Sequence, residues 1–309
     1  MAAPVTLREM LDAGMHYGHH ASRWNPKMGP YIYGKRKTIH IIDLRQTMRG
    51  LVTARRFLSH VTAGGKLLVF VGTKRQAKRA VRDEAVRSGM PFVTERWLGG
   101  MLTNFRTVRS RLERLLELEE IMEGPAIEQY SKKDASRMRR ELLKIRRNLD
   151  GVRNMDQIPG AVVVIDPRRE KIAIAEARRL NIPTIGLADT DCDPDMLDVL
   201  VPGNDDAMRS ISLVMRCFAD AALEGKEKRI ERERIAAEEA AKKAAEEAKK
   251  KAEARAEAAR KKAEAAAQAA KAKAEAEAVA RGAEEHRAKK AAEQAAAAEP
   301  KTSEEGAST

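Results

Sequence analysis

What most limits the folds open to this chain is the point at which its large apolar side chains stop. All eleven aromatic residues lie at or before Phe218, and the last dense apolar cluster is Ile211, Leu213, Val214, Met215 and Phe218. From Lys226 onward the sequence is almost purely Ala, Glu, Lys and Arg. Burial of apolar surface drives folding, so a packed core is available only to about the first 225 residues, which is enough for one large domain.

Charge follows the same division. The segment from Lys226 to the end holds 21 Lys+Arg and 18 Asp+Glu; of the chain's 59 and 46 this leaves 38 and 28 to the first 225 residues, a net charge of +10. A positive excess on the part that folds is the electrostatic footprint of a protein lying against a polyanion, although it also serves plain solubility. Cys192 and Cys217 are too few and too far apart for a disulfide framework or a zinc knuckle, which suggests a reducing cytoplasm. Met1 to Met10 includes Arg8 and Glu9 and reads as no signal peptide, and no apolar run approaches a membrane span; the expectation is a soluble, unexported chain.

Thr6 is placed to cap a short helix through Leu7, Met10 and Leu11, closed by Gly14. His16 to Lys37 then mixes Tyr17, Trp24, Tyr31 and Tyr33 with Arg23, Lys27, Lys35, Arg36 and Lys37. Rings stack on exposed bases and cations neutralise phosphates, so this reads as an RNA-facing loop, Asn25 included; the alternative is that the rings plug the underside of a sheet. From Thr38, apolar strands alternate with helices: strands at 39–43, 66–72, 91–96, 161–165, 183–188 and 199–201, and helices at 44–61, 74–88, 168–180 and 205–223. Continuously apolar strands joined through helices predict a doubly wound α/β fold with a parallel sheet covered on both faces.

Such folds often hold nucleotides at their strand ends, yet no Gly-x-Gly-x-x-Gly occurs, and Val71-Gly72-Thr73-Lys74-Arg75 lacks the rest of a P-loop. What remains is a helix start flanked by Lys74, Arg75 and Lys78, suited to an RNA phosphate. No nucleophile–base pair stands out either, so the chain reads as a scaffold that requires no cofactor, and an enzyme is the weaker hypothesis. Asp189, Asp191, Asp193, Asp195, Asp205 and Asp206 fall near strand ends, where Asp189 and Asp205 could share a structural Mg²⁺ or Zn²⁺, but turn and helix-cap chemistry is the preferred explanation. His16, His19 and His20 cluster around Gly18, but spacing alone is weak support for a metal.

Arg96-Trp97-Leu98-Gly99-Gly100-Met101-Leu102-Thr103-Asn104-Phe105 marks a junction, because beyond it the strand pattern gives way to two amphipathic helices. Val108, Leu112, Leu115 and Met122, then Met138, Leu142, Ile145 and Leu149, keep helical spacing across a break at Gly124-Pro125, with Asp134 a possible N-cap. The prediction is an antiparallel hairpin of coiled-coil type, with Arg96, Asn104, Arg106 and Arg109 near its start facing RNA. Acidic side chains alternate evenly with the basic ones only in the first helix, which makes the second, with Arg137, Arg139, Arg140, Lys144, Arg146 and Arg147, the better candidate for RNA. In the tail, Glu238/Lys242, Glu246/Lys250 and Glu257/Lys261 are i,i+4 pairs among alanines, predicting a lone, fraying helix and then a disordered end after Pro300. The domain division expected is 1–105 with 152–225, an inserted hairpin over 106–151, and a low-complexity tail over 226–309.

Gly14-Met15-His16-Tyr17-Gly18-His19, Trp24-Asn25-Pro26-Lys27-Met28, Val71-Gly72-Thr73-Lys74-Arg75, the junction from Arg96 to Asn104, Val164-Ile165-Asp166, Ala188-Asp189-Thr190-Asp191 and Pro202-Gly203-Asn204-Asp205-Asp206-Ala207 occur in that order. This series closely resembles the bacterial ribosomal protein S2 family over roughly residues 5 to 225. The resemblance implies a Rossmann-like α/β domain with an inserted helical hairpin, on the solvent side of the small ribosomal subunit. It further implies small-subunit rRNA bridged between head and body, neighbouring small-subunit ribosomal proteins as partners, and help in recruiting ribosomal protein S1 and through it mRNA. The alanine-rich tail after Gly225 exceeds the usual family length.

Overall fold

The computed structural model describes residues 5–124, 127 and 129–296. Two compact units are present, residues 1–234 and residues 235–309.

In the first unit, α1 (Leu7–Asp12) starts at a capping box, with the Thr6 side chain accepting from Glu9 N and the Glu9 carboxylate accepting from Thr6 N. Gly14, at φ +72°, turns the chain out of it. There follow β1 (Tyr17–His20), β2 (Ile32–Arg36), β3 (Ile39–Ile42), α2 (Leu44–Ala63), β4 (Leu68–Val71), α3 (Lys78–Ser88) and β5 (Phe92–Val93). After these come α4 (Phe105–Glu123), α5 (Lys132–Leu149), β6 (Ala161–Ile165), α6 (Lys171–Arg179), β7 (Thr184–Ala188), β8 (Val199–Pro202) and α7 (Met208–Ala296).

Five strands form a parallel sheet in the order β5-β4-β6-β7-β8, with Val69 opposite Val162, Val164 opposite Gly186 and Leu187 opposite Val201. Side chains alternate across a strand, and both faces of this sheet are covered. Leu68, Phe70, Val163, Ile165 and Leu187 pack with Leu51 and Leu58 of α2, Val81 of α3, and Ile211, Val214 and Phe218 of α7. Val69, Val71, Val162, Val164 and Ala188 pack with Trp97, Leu112, Leu149, Ile174 and Ala177. Each fully buried aliphatic or aromatic side chain contributes about 1.5–3 kcal/mol, so this two-sided alternation holds the domain together. The α/β reading with a doubly covered parallel sheet is thus observed.

Among the boundaries that differ from the sequence reading, three lie next to the strand ends described below. The strand over 39–43 is not in the parallel sheet; β3 is the centre of a separate antiparallel sheet, β1-β3-β2, built from the segment read as a loop. Tyr33 lies exposed between half-buried neighbours, and exposed Ile39 is followed by buried His40 and Ile42, a pattern that fits a sheet covered on one face. The strand over 91–96 shrinks to Phe92–Val93, because its only neighbour, β4, ends at Val71, paired with Val93. The helix placed at Lys74 begins at Lys78, after a turn in which Ala77 N and Lys78 N both donate to Lys74 O.

The inserted helices α4 and α5 pack on each other, joined by Arg114–Glu141 and Arg146–Glu119 ion pairs at 3.8 and 3.9 Å. Ser131 rather than Asp134 is the N-cap of α5, accepting from Asp134 N. The first part of α7 is pinned by Arg55–Glu224 and Arg87–Asp220 ion pairs, and Gly225 leaves no room for a Cβ against Ser59 and Thr62 of α2. In the second unit the chain is helical from Ile235 to Ala296, its described side chains are exposed, and Glu246–Lys250 and Glu257–Lys261 pairs form at 2.9 and 2.8 Å. The end expected after Pro300 lies outside the described residues.

Candidate nucleic-acid interface

The order of the parallel sheet reverses between β4 and β6, and doubly wound folds place their functional groups outside the carboxyl ends of the strands at such a point. Here those ends supply Lys74 after β4, Asp166 after β6, Asp189 after β7, and Asp205 and Asp206 after β8. Lys74 Nζ lies 2.6 Å from Asp205 Oδ1, 2.7 Å from Asp206 Oδ1 and 3.7 Å from Asp166 Oδ2. Lys74 is 8% exposed and Asp205 1%. Burial works against the Lys74 charge, but the surrounding carboxylates outweigh it and raise its pKa. Burial, reinforced by the charge of Asp189, pushes Asp205 up to about 7. Burial also raises Asp166 and the Cys192 thiol.

His19 joins this centre to the N-terminal sheet. Its Nδ1 is 2.8 Å from Asp189 Oδ2 and its Nε2 3.5 Å from Asp206 Oδ2, and the hydrogen bond to Asp189 lifts its pKa to about 9 against the opposing effect of burial. The backbone makes the same connection: His19 N donates to Asp189 Oδ1 and Thr190 Oγ1, and Asn25 N donates to Thr190 O. Gly18 permits this approach, since a Cβ there would fall 2.7 Å from Thr190 Cγ2. The polar centre therefore fastens the antiparallel sheet across the end of β7.

That fastening fixes where the expected RNA contacts sit. Arg23, Lys35, Arg36 and Lys37 are exposed on the antiparallel sheet and its turns, Lys37 in a left-handed turn at φ +57°. Tyr33 is 82% exposed, and Trp24, half-exposed, packs against His40 with ring centroids 5.1 Å apart. Asn25 caps the following turn by accepting from Lys27 N, and Lys27 reaches Asp193 and Asp195 while staying half-exposed. Arg75 is exposed, whereas Lys74 beside it is turned inward to the carboxylates.

The second group, Arg96, Asn104, Arg106 and Arg109, is exposed around the start of α4, with Arg109 Nη1 donating to Asp156 O. Its shape depends on Glu176 of α6, which sequence reasoning missed. The Glu176 carboxylate accepts from Trp97 Nε1, Gly100 N, Leu102 N, Thr103 N and Thr103 Oγ1 at 2.7–3.2 Å. Burial alone would raise its pKa, but these donors outweigh burial and lower it. The signal was available: Glu176 sits on the stripe of Ala173 and Ala177, where an amphipathic helix expects an apolar residue. Trp97 is thereby a core residue, and of the two glycines only Gly100, at φ +90°, needs glycine's freedom.

Asp189 and Asp205, the pair considered for a shared cation, are engaged by His19 and Lys74 respectively. The groups whose donor atoms converge within 4.8 Å are His19, Asp205 and Asp206, and Asp166, Cys192 and Asp205. Among the described residues no helix is long and apolar enough to cross a membrane.

Residues 10–225 match the family described as Ribosomal protein S2. The Small ribosomal subunit protein uS2 of Rhodopirellula baltica is 54% identical over 220 residues, 71% of this chain and 85% of that protein. The proteins of the same name from Sorangium cellulosum and Solidesulfovibrio magneticus are 51% and 48% identical, over 73% and 72% of this chain and 81% and 86% of their own lengths. A family match from residue 10 to residue 225, together with relatives of one name at 48–54% identity, settles the family: this chain belongs to the ribosomal protein S2 family.

Proposed function

We propose that this chain binds small-subunit rRNA between the head and body of the bacterial small subunit, in the cytoplasm, and helps recruit ribosomal protein S1. The observation that supports this most directly is the basic and aromatic surface of the antiparallel sheet, held rigid on the strand ends by His19, Asp189 and Thr190. A fixed array of cations loses less entropy on meeting phosphates than a mobile loop would. Stacking on Tyr33 and Trp24 adds selection for unpaired bases. The test is crosslinking from Lys35, Arg36 and Arg106 on purified small subunits, together with the protein content of subunits from cells depleted of this chain. Crosslinks to rRNA of both head and body, and loss of ribosomal protein S1 with this chain, are expected. Subunits that hold this chain well below one copy, or crosslinks confined to protein, overturn the reading.

A second reading concerns a structural ion. Asp205 Oδ2 is buried with no hydrogen-bond partner among the described residues, and His19 and Asp206 offer further ligand atoms beside it. Histidine nitrogen with carboxylate oxygen suits Zn²⁺ better than Mg²⁺, and an ion there would compete with the Lys74 ammonium. Metal content of the purified chain by mass spectrometry, before and after His19→Ala, decides it: stoichiometric zinc lost in the variant supports the site, and no zinc in the unsubstituted chain removes it.

A further inference from the structure

Buried polar side chains nearly always find a hydrogen-bond partner, because leaving one without costs stability. His40 departs from this rule. It lies on β3, the central strand of the antiparallel sheet, and is 9% exposed, yet neither Nδ1 nor Nε2 has a partner among the described residues. No other histidine among them has both ring nitrogens buried and unpartnered. An apolar side chain would fill the same space without that cost, so folding alone does not account for an imidazole at this position.

Its surroundings supply a reason. Side chains alternate across a strand, so His40 shares the inner face of the sheet with Ile42, which is 2% exposed, and with Lys35, its partner across the β2–β3 pair. Lys35 is exposed, which places His40 close to where that inner face meets solvent. Trp24, 39% exposed, closes this side: it packs on the imidazole with ring centroids 5.1 Å apart and planes 39° apart. Among the described residues no hydrogen bond holds the indole N–H. The backbone on either side of Trp24 is pinned, Ala21 N donating to Thr38 O and Asn25 N to Thr190 O, each at 2.8 Å. Rotation of the Trp24 side chain therefore uncovers His40 without moving the chain.

Three groups thus stand together: an indole face, an imidazole with an unused donor and an unused acceptor, and an ammonium. One unpaired nucleotide matches all three, since its base stacks on a ring, its base edge and 2′-hydroxyl offer both donors and acceptors, and its phosphate takes a cation. A carboxylate of an acidic peptide only accepts, and it would leave one imidazole nitrogen unmatched.

We propose that His40 is a base-reading residue: an unpaired nucleotide stacks on Trp24, draws that side chain off His40, hydrogen-bonds to the imidazole and sets its phosphate on Lys35. The proposal rests on the small-subunit rRNA reading above and adds to it the group that selects the nucleotide. His40 is then kept polar for binding, at the expense of the free fold.

The test uses the full chain and small subunits stripped of it, measuring the unfolding temperature of the chain and its rebinding across a range of salt. His40→Phe and His40→Leu remove both nitrogens, and the pair guards against one of them fitting badly. At least one is expected to unfold no earlier than the unsubstituted chain, yet to rebind about tenfold more weakly with an unchanged slope of log affinity against log salt. Lys35→Gln should make that slope shallower by about 0.7. A lower unfolding temperature in both His40 variants shows that the fold itself uses the nitrogens, and full rebinding by a stable variant shows that RNA does not; either overturns the proposal. An unchanged slope in Lys35→Gln overturns the phosphate contact. Photocrosslinks from position 24 that reach protein instead of RNA assign the site to a protein partner and overturn the proposal, while leaving RNA contacts elsewhere on the chain untouched. Failure of the unsubstituted chain to rebind overturns the rRNA reading itself, and this proposal with it.

Discussion

Lys74 and Lys27 are each surrounded by aspartates, and nothing in their local sequence foretells that they do opposite things. Lys74 sits at the end of β4 with Asp205, Asp206 and Asp166, and it is buried. Lys27 sits in a turn with Asp193 and Asp195, its side chain half-exposed. Water decides the difference. A buried cation must keep its carboxylates because no solvent replaces them, whereas an exposed one can trade an aspartate for a phosphate at little cost. Net charge alone therefore overstates the RNA-facing surface, since part of it is consumed inside the fold.

The sharpest way to break this comparison is to remove the buried cation. Lys74→Met leaves Asp205, Asp206 and Asp166 facing one another with only His19 to offset them, with an expected loss of about 3–5 kcal/mol. For a domain of this size that lowers the unfolding temperature by roughly 10 °C. Adding Asp205→Asn should recover part of the loss by removing one stranded charge. Calorimetry that finds Lys74→Met within a degree or two of the unsubstituted chain shows that the centre is solvated, and then the two lysines do not differ in kind.

Glu176 extends the contrast to a buried anion. Its carboxylate is held by donors alone, so Glu176→Ala strands the Trp97 indole N–H and the amides of Gly100, Leu102 and Thr103. Unmet buried donors at this site should cost about 2–4 kcal/mol, and the near-ultraviolet signal of Trp97 should change as the loop loosens. Glu176→Gln, which keeps one acceptor oxygen, should cost less. If Glu176→Ala leaves the Trp97 signal intact, the loop is held by its own turns and by its apolar contacts.

How far the sequence disclosed these sites follows from which forces are local. The parallel strands were legible because continuous runs such as Ala161 to Ile165 leave a chain little choice but double burial. The antiparallel sheet was not, because β1 and β2 are short, polar and glycine-bearing, and their pairing depends on His19 and Asn25 reaching residues some 170 positions away. Lys74 read as an RNA contact because charge is visible in sequence and burial is not. The inward turn of that side chain is set by Asp205, which lies 131 residues further on. Glu176 was hidden in the same way, its partners lying on a loop 73 to 79 residues earlier.

The link between the two sheets gives a pH signature. His19 has its pKa raised to about 9 by Asp189, against an ordinary value of 6.5. A base held more tightly protonated in the folded state adds stability that is fully present below about 6.5 and is lost as pH rises through about 9. Comparing the unsubstituted chain with His19→Gln, both with chelator present, should show a stability gap of no more than about 3 kcal/mol near pH 6 that closes by pH 10. A gap that stays constant with pH assigns the contribution of His19 to packing.

The smallest effect on stability belongs to Lys27, and there the comparison can be inverted. Lys27→Met should leave the unfolding temperature unchanged within error, because Asp193 and Asp195 remain in contact with water. If that ammonium gives up its aspartates for a phosphate on the subunit, the salt slope of rebinding should still become shallower by roughly 0.7, the increment for one contact to single-stranded RNA. Stability and salt slope would then separate the two lysines completely, with Lys74→Met moving the first and Lys27→Met only the second. A variant at Lys27 that shifts neither leaves it a surface ion pair, and it confines the cations of the N-terminal surface to Arg23 and the Lys35 to Lys37 turn.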